Sequence, residues 1–206
     1  MKLKSLLATG LLLAGTVAQA GLMTSVEGIE IWESQESGVT IIDFESGAPA
    51  GLSGDYTIYD TPSGTNQSAP PFGINDHYLS VPNPTRSGSA TMELGASYNY
   101  FGLFWGSIDT YNTITFHTSA GDVSVNGADF LPDLQADGGQ SDWDSNRYIN
   151  FYFDAGQTFS SYTLTSTNFA FETDNHAYGN VAVSEPATLA LFGLGLAALG
   201  FTRRKA

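Results

Sequence analysis

Tyr98-Asn99-Tyr100-Phe101-Gly102-Leu103-Phe104-Trp105 decides the fold. Its aromatic residues fall on both parities of an extended chain, and a strand that is apolar on both sides must be covered on both sides. The stretch therefore predicts a central β-strand. Arg147-Tyr148-Ile149-Asn150-Phe151-Tyr152-Phe153 reads as a second strong strand, with Ile149, Phe151 and Phe153 on one face and Tyr148, Asn150 and Tyr152 on the other. No long stretch of the chain carries a helical apolar period to compete with these.

Outward from this pair, short β-branched and aromatic runs alternate with Gly, Pro, Asn, Asp and Ser. Val39–Phe44 reads as a first core strand and Asp55–Tyr59 as a second. Further strands are expected at Ser89–Leu94, Tyr111–His117, Val123–Val125, Thr158–Ser166, Phe169–Thr173 and Ala177–Val183. Residues 60–88 hold five of the eight prolines and read as a long surface loop. Pro132–Asn146 reads as an acidic, glycine-containing loop. The pattern predicts an all-β domain over residues 21–183, a β-sandwich of jelly-roll type, with a single closed barrel as the alternative.

The chain has 206 residues, 21 acidic against 7 basic, a formal charge of −14 and no cysteine. The missing cysteines exclude disulfides, thiol nucleophiles and cysteine-ligated metal centres. The charge excludes nucleic acid as a partner, because phosphate neutralisation needs many Lys and Arg. The basic residues sit at the ends. Lys2 and Lys4 precede the body, and Arg203, Arg204 and Lys205 follow it. Arg86 and Arg147 alone lie between, among 20 acidic residues, so residues 21–184 carry −18.

Both ends read as export devices. Lys2 and Lys4 form a positive start, Leu6 to Ala14 an apolar run, and Ala18-Gln19-Ala20 a small-x-small cleavage pattern. Residues 1–20 are thus expected to be a signal peptide, cut by signal peptidase before Gly21. A membrane anchor is the alternative, for which the run is short. At the other end, Ser184-Glu185-Pro186 precedes the apolar run Ala187–Phe201 and the basic tail Arg203-Arg204-Lys205-Ala206. A transmembrane helix over 187–201 would be about 22 Å long, short against a core of about 30 Å. A plain tail anchor is the alternative there.

Residues 184–206 resemble the PEP-CTERM sorting signal of exported bacterial proteins, which joins a Pro-Glu-Pro motif, a membrane run and an Arg-rich end. Glu185, Pro186 and the tail Arg203, Arg204 and Lys205 match, while Ser184 stands where the first proline is usual. The resemblance implies an exosortase as partner and transient anchoring in the inner membrane. The product would then reside at the cell surface or in the extracellular matrix of a Gram-negative-type bacterium. Tyr100–Ile114, Asn126–Asp129 and Asn146–Phe151 are similar to segments recurring in exosortase-dependent surface proteins.

Catalytic motifs do not converge. His77, His117 and His176 are far apart and read as surface or rim histidines, and no GxSxG elbow or phosphate loop is present. The expected function is a non-enzymatic exported surface protein whose body binds polysaccharide or calcium or has a structural role. The alternative is a secreted glycan-active enzyme, a hydrolase or lyase on the same fold, because the many acids allow carboxylate pairs. For calcium, Asp142-Trp143-Asp144-Ser145-Asn146 has D-x-D-x-N spacing, although Arg147 and Phe153 occupy the positions where an EF-hand needs Gly and Glu. Glu172 and Asp174 form a second candidate set, facing Asp43 and Glu45 if the first and last strands are neighbours. Trp143 and Trp32 are the candidate sugar-stacking residues.

Overall fold

The computed structural model describes residues 18–19, 21–60, 67–154 and 156–183. The expected signal peptide, apart from the Ala18–Gln19 backbone, lies outside these residues. So do the sorting segment 184–206 and its expected helix 187–201. Among the described residues no helix is long and apolar enough to cross a membrane.

Thirteen strands are present among the described residues. They are β1 (Ala18–Gln19), β2 (Leu22–Val26), β3 (Thr40–Ile42), β4 (Leu52–Gly54), β5 (Thr57–Tyr59), β6 (Tyr78–Val81) and β7 (Gly88–Tyr98). β8 (Tyr100–Gly106), β9 (Asn112–Thr118), β10 (Gly121–Asn126), β11 (Arg147–Phe153), β12 (Phe159–Ser166) and β13 (Phe171–Gly179) follow. A 3-10 turn, Gly127–Phe130, is closed by a capping box between Asn126 and Asp129. The chain is all-β, in two antiparallel sheets. The larger runs β1-β2-β11-β8-β13-β6-β5, with β3 also on β13; the smaller runs β10-β9-β12-β7-β4. From β6 to β13 the chain alternates between sheets except at the β9–β10 hairpin, placing β6-β13-β8-β11 side by side in one and β7-β12-β9-β10 in the other.

β8 sits between β11 and β13, and every residue in it is buried. Its inward side chains Phe101, Leu103 and Trp105 meet the smaller sheet. Phe101 packs against Phe116 of β9 (5.4 Å between centroids) and against Phe159 and Tyr162 of β12 (6.2 and 4.4 Å). Trp105 stacks on Phe171 at 4.3 Å. On the outward side Phe104 joins Ile74, Tyr78 and Tyr148 in a second apolar cluster beneath the loops. Gly102 and Gly106 permit this cover: a Cβ on Gly102 would strike the Tyr100 and Tyr148 hydroxyls, and one on Gly106 would strike Pro71. The smaller sheet is wetter outside, where Thr91–Thr163 and Thr115–Ser124 hydroxyl pairs bridge its strands at 2.8 Å.

Several expectations change. Val39–Phe44 is no core strand: β3 is a short edge piece with Thr40 and Ile41 exposed, Ile42 packs half-buried against the core, and only Phe44 is buried in it. The stretch 60–88 is no simple surface loop, since β6 within it is wholly buried and pairs with β5 and β13. The strands expected at 169–173 and 177–183 are one strand, β13, with a bulge between Asp174 and Ala177 where Asn175 has φ +49°. His176 is not a rim residue but fully buried, with Nδ1 bonded to the Tyr162 hydroxyl (2.6 Å) and Nε2 to the Thr173 hydroxyl (2.7 Å). Burial pushes its pKa down to about 3, so the ring is neutral.

Phe101→Ala should cost about 3–5 kcal/mol, the range for truncating a core phenylalanine. Thr115→Ala, on the wet face, should change stability by at most about 0.5 kcal/mol. Denaturant midpoints of the two variants check the contrast.

Candidate functional site

The outward face of the larger sheet gathers most of the polar and aromatic residues singled out in the sequence. Alternation on β8 and β11 sends Tyr100, Tyr148, Asn150 and Tyr152 outward, under residues 25–37. The Ser34 and Tyr100 hydroxyls share a 2.6 Å hydrogen bond, and Tyr100 donates to Asn150 Oδ1 at 2.7 Å. Asn150 Nδ2 donates to Glu27 at 2.8 Å, and Tyr152 donates to Glu36 at 2.9 Å.

At one end of this face Trp32 and Trp143 meet edge to face, 5.5 Å between centroids. They are 111 positions apart in the chain, and the fold brings them together. Trp143 also touches Phe72 at 5.2 Å, and the Arg147 guanidinium lies 5.9 Å from its ring centre. Both Trp residues are half-buried, and Trp143 is flanked by exposed Asp142 and Asp144. The Trp32 Nε1 is buried with no hydrogen-bond partner.

The D-x-D-x-N set is not arranged as three free ligands. Asn146 is fully buried and its amide is spent on the backbone. Oδ1 accepts from Ser107 N (2.8 Å) and Phe72 N (3.1 Å), and Nδ2 donates to Gly139 O (2.7 Å) and Asp142 O (2.9 Å). Asn146 thus ties three loops together. Asp142 Oδ1 accepts from Asp144 N at 3.0 Å, and Asp144 accepts from Gln135 at 3.3 Å. As the side chains stand, no three His, Asp or Glu among the described residues are gathered to hold a metal ion.

Glu172 and Asp174 lie on the outward face of β13, where Asp174 is opposite Phe104. Glu172 lines a cavity of about 80 Å³ with Gln67, Ser68 and Gln140. Its carboxylate accepts from the Ser107 hydroxyl (2.7 Å) and Ala69 N (3.1 Å). Burial pushes its pKa up to about 7, with Asp109 adding repulsion. Asp174 is also pushed up, to about 8, by burial and by the charges of Asp76, Asp43 and Glu45. Asp43 and Glu45, expected to face the last strand, do stand beside it, because β3 pairs with β13 through Ile42 and His176. Asp76 was missed in the sequence, hidden in the proline-rich stretch.

The fold and this face define an all-β, two-sheet body with a loop-covered outer surface. Residues 182–205 match the family described as the PEP-CTERM protein-sorting motif, so the chain carries that motif immediately after its last strand. The motif implies exosortase processing, export and transient anchoring at the C-terminus before surface release. No curated protein and no solved structure matches the chain.

The folded state holds an extra proton on Glu172 between its ordinary pKa of 4.5 and about 7. Stability therefore falls as pH rises through that window. Glu172→Gln should exceed the wild type by on the order of 2–3 kcal/mol above pH 7, and the gap should close below pH 4.5. Paired denaturant melts at pH 4 and 8 check this.

Proposed function

We propose that the protein is a non-enzymatic component of the cell surface or extracellular matrix. An exosortase releases its body from the membrane, and the body binds polysaccharide. The observation that carries the proposal is the sorting motif at residues 182–205, which starts three residues after β13 ends at Gly179. A motif so close to a folded edge leaves a minimal tether between membrane and body. The strand order β6-β13-β8-β11 and β7-β12-β9-β10 supports a jelly-roll reading of the body, two Greek keys wound into facing sheets.

The half-buried Trp32–Trp143 pair supports sugar contact. Such rings offer an apolar face for a pyranose ring, and the exposed Asp142 and Asp144 beside them can accept hydroxyl donors. Glu172 is the residue that favours the alternative, a glycan-active enzyme, since a carboxyl titrating near 7 can act as a general acid. Its cavity of about 80 Å³ is far below the roughly 300–1,000 Å³ of ordinary ligand pockets.

Glu185→Ala combined with Pro186→Ala should leave the protein in the membrane fraction with its C-terminus intact. Normal release of the double variant would refute exosortase sorting. In affinity electrophoresis through extracellular polysaccharide, Trp143→Ala should weaken retardation about tenfold at a temperature where both proteins are folded, its melting temperature falling by several degrees because the ring also packs on Trp32 and Phe72. Depolymerisation of the polysaccharide by the wild type, lost in Glu172→Gln, would establish the enzyme reading instead.

A further inference from the structure

The partner edge of β13 is shared by two short strands that leave a gap. β6 pairs with Phe171–Thr173 and β3 with His176–Tyr178, so Asp174 and Asn175 at the bulge have neither beside them. The chain leaving β3 runs Asp43-Phe44-Glu45, and the chain entering β6 runs Asp76-His77. Both segments are pinned at the gap. Phe44 is buried edge to face against His176 at 5.0 Å, and Glu45 accepts from His77 N at 2.9 Å and contacts His77 Nδ1 at 3.1 Å. Asp43 and Asp76 are exposed, whereas Asp174 is 1% exposed. The charges acting on Asp174 are those of Asp76, Asp43 and Glu45.

Two features distinguish this cluster from an ordinary solvated acidic loop. The buried Asp174 Oδ1 has no hydrogen-bond partner, and an unmet buried carboxylate oxygen is costly unless something binds it. No fixed cation of the described residues reaches the cluster either. Arg86 Nε donates to Asn168 at 2.7 Å, and Arg147 lies over Trp143. Only His77 is at hand, and it is engaged with Glu45.

We propose that Asp43, Asp76 and Asp174 bind a calcium ion in the gap between β3 and β6, with Glu45 contributing charge from its place beside His77. The buried Asp174 oxygen is the fixed ligand. The exposed Asp43 and Asp76 side chains swing onto the ion, and waters or backbone carbonyls complete the shell. Calcium suits the site better than magnesium because it accepts 6–8 oxygens in irregular geometry, whereas magnesium demands a near-ideal octahedron. The ion would clip the two short strands to β13, a cross-link in a chain without cysteine. This assignment is independent of the sorting and polysaccharide proposals.

The test is thermal melting of the full chain in mild detergent, in 1 mM calcium chloride against EDTA. For a Kd near 10⁻⁵ M, the calcium sample should melt about 5–10 °C higher. Asp174→Asn and Asp76→Asn should each abolish the rise, while the double variant Asp142→Asn with Asp144→Asn should keep it. If Asp174→Asn does not fold, the exposed Asp76→Asn decides. The proposal is overturned by a wild type that melts alike with and without calcium. It is equally overturned by an equal rise in sodium chloride of matched ionic strength, or by a rise that survives Asp76→Asn.

Discussion

The rest of the structure depends on the burial of β8 on both faces. Its inward Phe101, Leu103 and Trp105 lie in the core between the two sheets, where Phe101 makes aromatic contacts with β9 and β12 across the sheets and Trp105 stacks on Phe171 of neighbouring β13. Its outward Phe104 and Tyr100 cannot face water, so loops from residues 25–37, 67–77 and 132–146 must cover them. Those covering loops carry Trp32, Trp143, Asp76 and the pocket around Glu172. The candidate surfaces thus follow from the need to cover a strand that is apolar on both sides.

Charge imposes a second constraint. With Arg86 and Arg147 as the only fixed cations among its described residues, the body has little scope for ion pairing. Several of its buried polar groups are satisfied by neutral partners, Asn146 by four backbone groups and His176 by two hydroxyls, while Asn150 joins the Tyr100 hydroxyl to Ser25 and the Glu27 carboxylate. Glu172 and Asp174 remain as buried acids whose pKa values rise because burial disfavours the charged form, with nearby carboxylates adding repulsion. Disulfides are not available to reinforce the core either, which leaves the aromatic packing as the main source of stability.

Period-two alternation made much of this legible. The bounds read for β11 are those observed, and the central place of β8 followed from aromatic residues on both parities. Elements that break the period were misread. β13 was split in two because its bulge at Asp174–His176 interrupts the alternation. β6 was lost because four residues next to Pro82 and Pro84 carry too little pattern to outweigh the turn signals. His176 reads in sequence as a surface or rim histidine because its partners Tyr162 and Thr173 are set by the bulge and the sheet packing, which no local pattern encodes. Trp32 and Trp143 were each recognisable as special, but their contact depends on how the loops fold over β8. Asp142, Asp144 and Asn146 had the spacing of ligands, yet spacing could not reveal that the Asn146 amide is consumed in tying loops together.

The central proposal is that the two-sheet body is exported and released, with the two terminal segments serving its passage. Intact mass and cell fractionation of the native product test it most directly. The account predicts a released, surface-associated species that begins at Gly21 and lacks the tail beyond the Glu185–Pro186 region. A full 206-residue product retained in the membrane would contradict it.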